Sequence, residues 1–246
     1  MRTLQGLRIV VTRATHQAEE LAEPLRALDA HVILLPVIGI APPLDPGPLH
    51  EAVEHASRYD WIIFTSANAV YAFARQARPT ANPRVATIGS ATREAAESVG
   101  FSVGLMPEKY LAESLVEAFA GTNLGGSRIL IPSAAVTRDV IPPALRKMGA
   151  HVDVVEAYRN VIPLEAADQA RQIFQPPYPD WVTFTSSSAV DNLIQLIGKD
   201  PLHHSKIATI GPVTSKTLRN YGMAVSAEAA TQSVGGIVEA VLSFTP

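Results

Sequence analysis

One pattern occurs twice in the chain. Asp60-Trp61-Ile62-Ile63-Phe64-Thr65-Ser66-Ala67-Asn68-Ala69-Val70 returns as Asp180-Trp181-Val182-Thr183-Phe184-Thr185-Ser186-Ser187-Ser188-Ala189-Val190, an offset of 120 residues. The same offset pairs Arg8-Ile9-Val10 with Arg128-Ile129-Leu130, and Ala30-His31-Val32 with Ala150-His151-Val152. Further along, the offset becomes 122, so that Ala86-Thr87-Ile88-Gly89 matches Ala208-Thr209-Ile210-Gly211 and Thr92 matches Thr214. Matches in one register over this length mark a duplicated unit of about 120 residues, far longer than the roughly 20–50 residues of a solenoid repeat. The 246 residues then divide into two units, each large enough to bury its own core.

Within a unit, short apolar runs alternate with stretches of helical period. Runs at 8–12, 31–35, 60–65, 84–88 and 101–105 predict buried strands. Stretches at 17–28, 49–57, 67–77, 92–99 and 112–119 predict helices. In the first of these, Leu21, Pro24, Leu25 and Leu28 fall on one face, and Pro24 predicts a kink or a late start. Strand–helix alternation implies a parallel, doubly wound sheet of about five strands. The expected fold is therefore α/β, with two similar flavodoxin-like domains. After its second strand each copy carries an extended segment ending in proline, residues 35–43 and 155–163. Each segment is either a long loop or a hinge strand through which the chain crosses between domains.

Composition narrows the chemistry. The chain has no cysteine, which excludes disulfides, thiol catalysis, zinc–thiolate sites and iron–sulfur clusters. Twenty basic against 23 acidic residues leave a formal charge of −3, which argues against a nucleic-acid protein built on a broad basic face. No apolar run is long enough to span a membrane, and the run before Arg13 is too short for a signal peptide, so the expected location is the cytoplasm. The dinucleotide, P-loop and G-x-S-x-G fingerprints do not occur. His203-His204 has no third ligand at helical spacing, and no metal site is expected there.

In doubly wound folds ligands sit at the carboxyl ends of strands, where helix N-termini present free N–H groups. The turns there are rich in hydroxyls. They are Thr12-Arg13 with Thr15, Thr65-Ser66 with Asn68, Gly89-Ser90 with Thr92, Ser133, Thr185 to Ser188, and Gly211-Pro212 with Thr214. Such residues also cap helices without any ligand, contributing about 1 kcal/mol each. A cap needs one residue, however, and these turns offer two or three in both copies.

Taken together, Val11-Thr12-Arg13, two F-T-S-x-x-A-V segments, two I-G-x-x-T segments, and Gly149-Ala150-His151-Val152 followed by Ala157-Tyr158-Arg159 resemble the uroporphyrinogen-III synthase family. Each motif is weak alone; their order and spacing over nearly the whole chain carry the likeness. The resemblance implies cyclisation of hydroxymethylbilane to uroporphyrinogen III with inversion of the terminal pyrrole, and no metal or organic cofactor. It implies two α/β domains joined by a two-stranded connector, with one domain containing both chain ends. Mapped here, residues 1–37 join 164–246 and residues 41–158 form the inserted domain. The polycarboxylate tetrapyrrole is expected in the interdomain cleft of a monomer, without nucleic-acid or membrane partners. Transient contact with the preceding enzyme of the pathway stays open.

The chemistry asks little of the protein. Loss of water from a hydroxymethylpyrrole gives an azafulvenium cation, which the terminal pyrrole attacks through its substituted carbon. The resulting spiro-pyrrolenine fragments and recloses in the inverted sense. The pyrroles supply the electrons, so the protein needs an acid for the leaving hydroxyl and a shape that holds the chain curled. Tyr158 matches the family's tyrosine and is the expected proton donor; the alternative is an amphipathic anchor packed at the hinge. In a net acidic chain, N–H groups and hydroxyls are expected to hold the substrate carboxylates. The candidates are Thr12, Ser66, Asn68, Gly89, Ser90, Thr92, Ser133, Ser186, Ser187, Ser188, Gly211 and Thr214, with Arg13 and Arg138 as ion-pair partners. Pro132-Ser133 stands where the family often has Arg-Gly, and Pro132 has no N–H to donate. The competing class is a non-catalytic two-domain binding module or a pseudoenzyme. A periplasmic binding protein would be expected to carry a signal peptide, and a repressor effector domain a DNA-binding helix-turn-helix ahead of Arg8.

Overall fold

A computed structural model describes residues 3–76, 83–135 and 140–244. The first half of the chain runs β1 (Arg8–Val11), α1 (Thr15–Arg26), β2 (His31–Leu34), β3 (Gly39–Ala41), α2 (Gly47–Glu54), β4 (Trp61–Phe64), α3 (Ala67–Ala74), β5 (Arg84–Thr87), α4 (Ser90–Ser98), β6 (Val103–Leu105) and α5 (Ala112–Ala118). The second half runs β7 (Arg128–Ala134), α6 (Ile141–Lys147), β8 (His151–Val161), α7 (Ala166–Ile173), β9 (Trp181–Phe184), α8 (Ser187–Ile197), β10 (Lys206–Thr209), α9 (Pro212–Asn220), β11 (Ala227–Glu228) and α10 (Val234–Ser243). Among the described residues no helix is long and apolar enough to cross a membrane.

The chain forms two compact units, one of Met1–Gly39 with Val161–Pro246 and the other of Ile40–Asn160. The first holds a five-stranded sheet in the order β11-β10-β9-β1-β2, with parallel pairing throughout. Its inner strands are apolar on both faces because helices cover both. Val10, Val182 and Phe184 point to one side, among residues of α8 and α9, while Ile9, Val11 and Trp181 point to the other, among residues of α1 and α10. The second unit is built the same way around the order β3-β8-β7-β4-β5-β6. Ile62 and Phe64 enter one core layer with Val70, Phe73 and Tyr158; Trp61 and Ile63 enter the other with Leu115, Phe119 and Leu145.

The duplicated segments and the compact units are out of phase. The first copy gives β1 and β2 to one sheet and β3 to β6 to the other, and the second copy does the converse with β7, β8 and β9 to β11. Numbered by position within a copy, both sheets run 2-1-3-4-5, the flavodoxin-like order, with β3 added at the edge of the second beside β8. The exchange takes place along the two proline-ended segments, which carry β3 and the end of β8. In the second copy the segment simply prolongs β8 to Val161, whereas in the first the chain leaves β2 at Leu34 and re-enters as β3 at Gly39. Pro36 lies in that gap, where Glu156 stands in the second copy. Proline has no N–H for a ladder, so the first copy breaks where the second continues.

Two expectations are corrected. The first helix begins early, at Thr15, and runs through Pro24 to Arg26; its buried face is Ala18, Leu21, Ala22 and Leu25, and Pro24 is exposed. A proline in the last turn on the solvent side forfeits one hydrogen bond without displacing the core face. The second correction concerns Pro132 and Ser133, which are not a turn after a strand but residues within β7. They pair there with Val155 and Glu156 of the long β8.

Candidate functional site

In the unit of residues 40–160, β4 ends at Phe64 and Ser66 opens α3. Ser66 is extended, with φ −156° and ψ 154°, and its Oγ accepts the Ala69 N–H at 3.2 Å. The pairing of β7 with β8 slips at Ser133/Ala134, which sets Ala134 opposite Tyr158; the Ala135 N–H then bonds the Tyr158 carbonyl at 3.0 Å. This irregularity delivers the Tyr158 ring into the core layer of Phe64 and Val70 with 8% of its surface exposed. Its hydroxyl lies 3.1 Å from Ser66 Oγ, and either oxygen can be the donor. The two sequence candidates meet although 92 residues separate them. Asn68 sits partly buried in the first turn of α3.

The next turn of this unit is formed by Gly89, which precedes α4 in an extended conformation. A Cβ at Gly89 would stand 3.3 Å from the Tyr110 ring, so the absent side chain lets that ring lie on the turn. Tyr110 itself is 58% exposed. Ser90 is exposed and Thr92 is buried. The Thr87 hydroxyl, at the end of β5, is buried and has no partner among the described residues. Ser133 is buried, and its hydroxyl donates to the neighbouring Ala134 carbonyl at 3.2 Å. Arg138 lies outside the described residues.

In the other unit the Thr12 hydroxyl is wholly buried and donates to the Thr183 carbonyl at 2.7 Å. Thr183 returns a bond to the Val10 carbonyl at 2.9 Å, so these hydroxyls clasp β1 to β9. Arg13 bonds Glu20 at 2.9 Å, while its Nε is buried and has no partner among the described residues. The helix that follows starts after Ala14 without a side-chain cap. Ser186 repeats the Ser66 geometry, accepting the Ala189 N–H at 3.2 Å. Ser187 receives a bond from Thr217 at 2.8 Å, and Ser188 is exposed. Gly211 opens α9, and a Cβ there would meet Gln232 at 2.9 Å, the counterpart of Tyr110 over Gly89. Thr214 is buried in the first turn of α9.

One polar cluster gives no local signal in the sequence, because its members are far apart along the chain. Tyr59 donates to Asp153 at 2.9 Å, and the Arg128 guanidinium lies 5.5 Å from the Tyr59 ring centre. Burial, and then the Asp153 hydrogen bond, push the Tyr59 phenol up to about 12. With Glu51, His55 and Arg58 they line a cavity of about 370 Å³. Its lining comes from α2 and the segment that follows it up to Tyr59, from Arg128 at the start of β7 and from the first half of β8, at the end of the sheet away from Ser66.

Comparison with known proteins agrees with this architecture. Residues 19–239 match the family model described as uroporphyrinogen-III synthase HemD. The uroporphyrinogen-III synthase of Synechococcus elongatus is 33% identical, with 97% of this chain and 95% of that protein aligned. A putative uroporphyrinogen-III synthase of Methanothermobacter thermautotrophicus is 32% identical over 87% of this chain and 90% of its own. Among solved structures, uroporphyrinogen-III synthetase from Helicobacter pylori superposes with a TM-score of 0.64 at 17% identity, covering 99% of both chains. A mutant uroporphyrinogen III synthase from Thermus thermophilus gives 0.63 at 17% identity, over 97% and 98% of the two chains. The structural likeness bears on the fold.

Proposed function

The chain belongs to the uroporphyrinogen-III synthase family and is an enzyme of that type, and from this premise we propose that Tyr158 is the acid of its reaction. The reaction closes hydroxymethylbilane into uroporphyrinogen III with release of water. The phenol gives its proton to the departing hydroxyl as the C–O bond breaks. The terminal pyrrole then attacks the azafulvenium carbon through its substituted position, and the spiro-pyrrolenine fragments and recloses. The last carbon to bond loses a proton as its ring regains aromaticity, which restores the balance. The observation that carries this role is the 3.1 Å contact of the Tyr158 hydroxyl with Ser66, which holds the phenol at the N-terminal end of α3.

The turns beyond the strands are the proposed contacts for the substrate carboxylates. Asn68, Ser90 and Ser188 are accessible hydroxyl or amide groups in the first turns of α3, α4 and α8, where the helix dipole favours negative charge. At Gly89 and Gly211 the missing side chain admits Tyr110 and Gln232 against the starts of α4 and α9. Arg13 supplies a cation whose Nε is not engaged by Glu20. Thr12, Thr92 and Thr214 are buried and shape these turns from beneath, while Ser133 is buried within β7. Tyr158→Phe is expected to slow type III formation at least about tenfold, a floor beneath the roughly 10²–10⁴-fold that a positioned general acid contributes. The type I isomer, formed without the enzyme, then accumulates. Wild-type turnover by a folded Tyr158→Phe protein would leave the tyrosine a packing residue.

A further inference from the structure

We infer that Ser66 is a positioning residue for Tyr158, giving its own proton to the phenol oxygen so that the phenol proton is free for the substrate. A serine hydroxyl has one proton and two acceptor lone pairs. One lone pair of Ser66 is occupied by the Ala69 N–H at 3.2 Å, and the phenol oxygen lies 3.1 Å away. Two proton arrangements fit this geometry. If Tyr158 donates to Ser66, the phenol proton is spent inside the protein and unavailable for chemistry. If Ser66 donates to Tyr158, the bonds run in one direction, from the Ala69 N–H to Ser66 and on to Tyr158. Hydrogen bonds in such a chain polarise and strengthen one another. The positive end of α3 acts in the same sense, making the serine a better donor. As the phenol releases its proton, negative charge grows on the oxygen that Ser66 already faces, and the bond becomes charge-assisted at that moment.

The duplication supplies an internal comparison. Ser186 caps α8 with the same 3.2 Å bond and nearly the same backbone, φ −158° and ψ 156°. The residue 120 positions before Tyr158 is Ile38, so the second serine has no phenol to face. Capping is therefore common to both copies, and the serine–tyrosine contact belongs to one.

This inference rests on the reading of Tyr158 as the acid, and the test separates the two. Type III formation is followed for Ser66→Ala, Ser66→Thr, Tyr158→Phe and the Ser66→Ala/Tyr158→Phe double variant. Ser66→Ala is expected to lower kcat about tenfold with KM within about twofold, as for loss of one bond to a developing charge. Ser66→Thr, which restores a hydroxyl, should recover most of that loss. In the Tyr158→Phe background Ser66→Ala should cost less than about twofold, because the two act as one unit. Ser66→Ala and Ser186→Ala should lower the Tm alike, which separates capping from catalysis. Should the alanine variant fail to fold, Ser66→Gly carries the same kinetic test, since glycine retains most of the capping preference. A loss confined to KM, a full loss in the phenylalanine background, or wild-type kcat without the hydroxyl would each overturn the positioning role. Unchanged turnover in Tyr158→Phe alone would remove the acid itself.

Discussion

Tyr59 holds its proton against Asp153 while the Arg128 guanidinium lies over its ring, and burial and that carboxylate raise its phenol from 10.0 to about 12. In the unfolded chain the phenol ionises at its ordinary value, so the unfolded state loses its proton first as pH rises. The stabilisation is complete below pH 10.0 and is lost as pH climbs through about 12. Urea midpoints measured across that window should fall for the wild type and fall less for Tyr59→Phe. Gly236 makes a sharper test. A Cβ there would sit 2.1 Å from the Thr231 carbonyl oxygen, a backbone atom with little room to withdraw. Gly236→Ala should therefore cost about 3 kcal/mol, at the upper end of overpacking penalties, seen as a lower denaturation midpoint. Some of the candidate site is visible in the bare sequence. Ser66 and Ser186 precede helical stretches and do cap them. Thr12 has the same local appearance, yet its hydroxyl goes to Thr183, 171 residues away, and nothing near Thr12 in the chain encodes that partner.

At the scale of elements, the chain starts its helices with serine where a hydroxyl must meet a free N–H. Ser233 accepts the Gly236 N–H at 3.1 Å at the head of α10, as Ser66 and Ser186 do for α3 and α8. Ser233→Ala should cost about 1 kcal/mol, within the range for lost caps. In a chain of this size that lowers the Tm by roughly 2–4 °C, measurable by calorimetry. Element type followed from periodicity because buried parallel strands leave continuous apolar runs. Element ends did not. Pro132-Ser133 has turn composition but lies in β7, since the long partner strand β8 offers it a ladder. The brief β3 is hidden by Pro36 before it, and Pro24 misled because its exposed position makes the missing N–H cheap.

At the scale of the whole molecule, the repeat and the folded unit are different objects. Residues 40–160 hold every strand of one sheet except the first residue of β3 and the last of β8, whereas residues 1–120 hold two strands of one sheet and four of the other with their partners missing. A fragment of residues 40–160 should show native-like circular dichroism and a cooperative urea transition, and one of residues 1–120 should not. A cooperative transition in the second fragment would mean that one copy of the repeat closes a sheet by itself. The strands along which the exchange occurs, β3 and the end of β8, occupy corresponding places in the two copies. That correspondence reaches the gene. An in-frame deletion of one repeat length between these points would join the first segment of the chain directly to the last. The product is not a truncated protein: it encodes one entire sheet with all its covering helices as a continuous chain. Loss or gain of one repeat length at these points would therefore change the number of sheets while leaving each remaining sheet with all its strands.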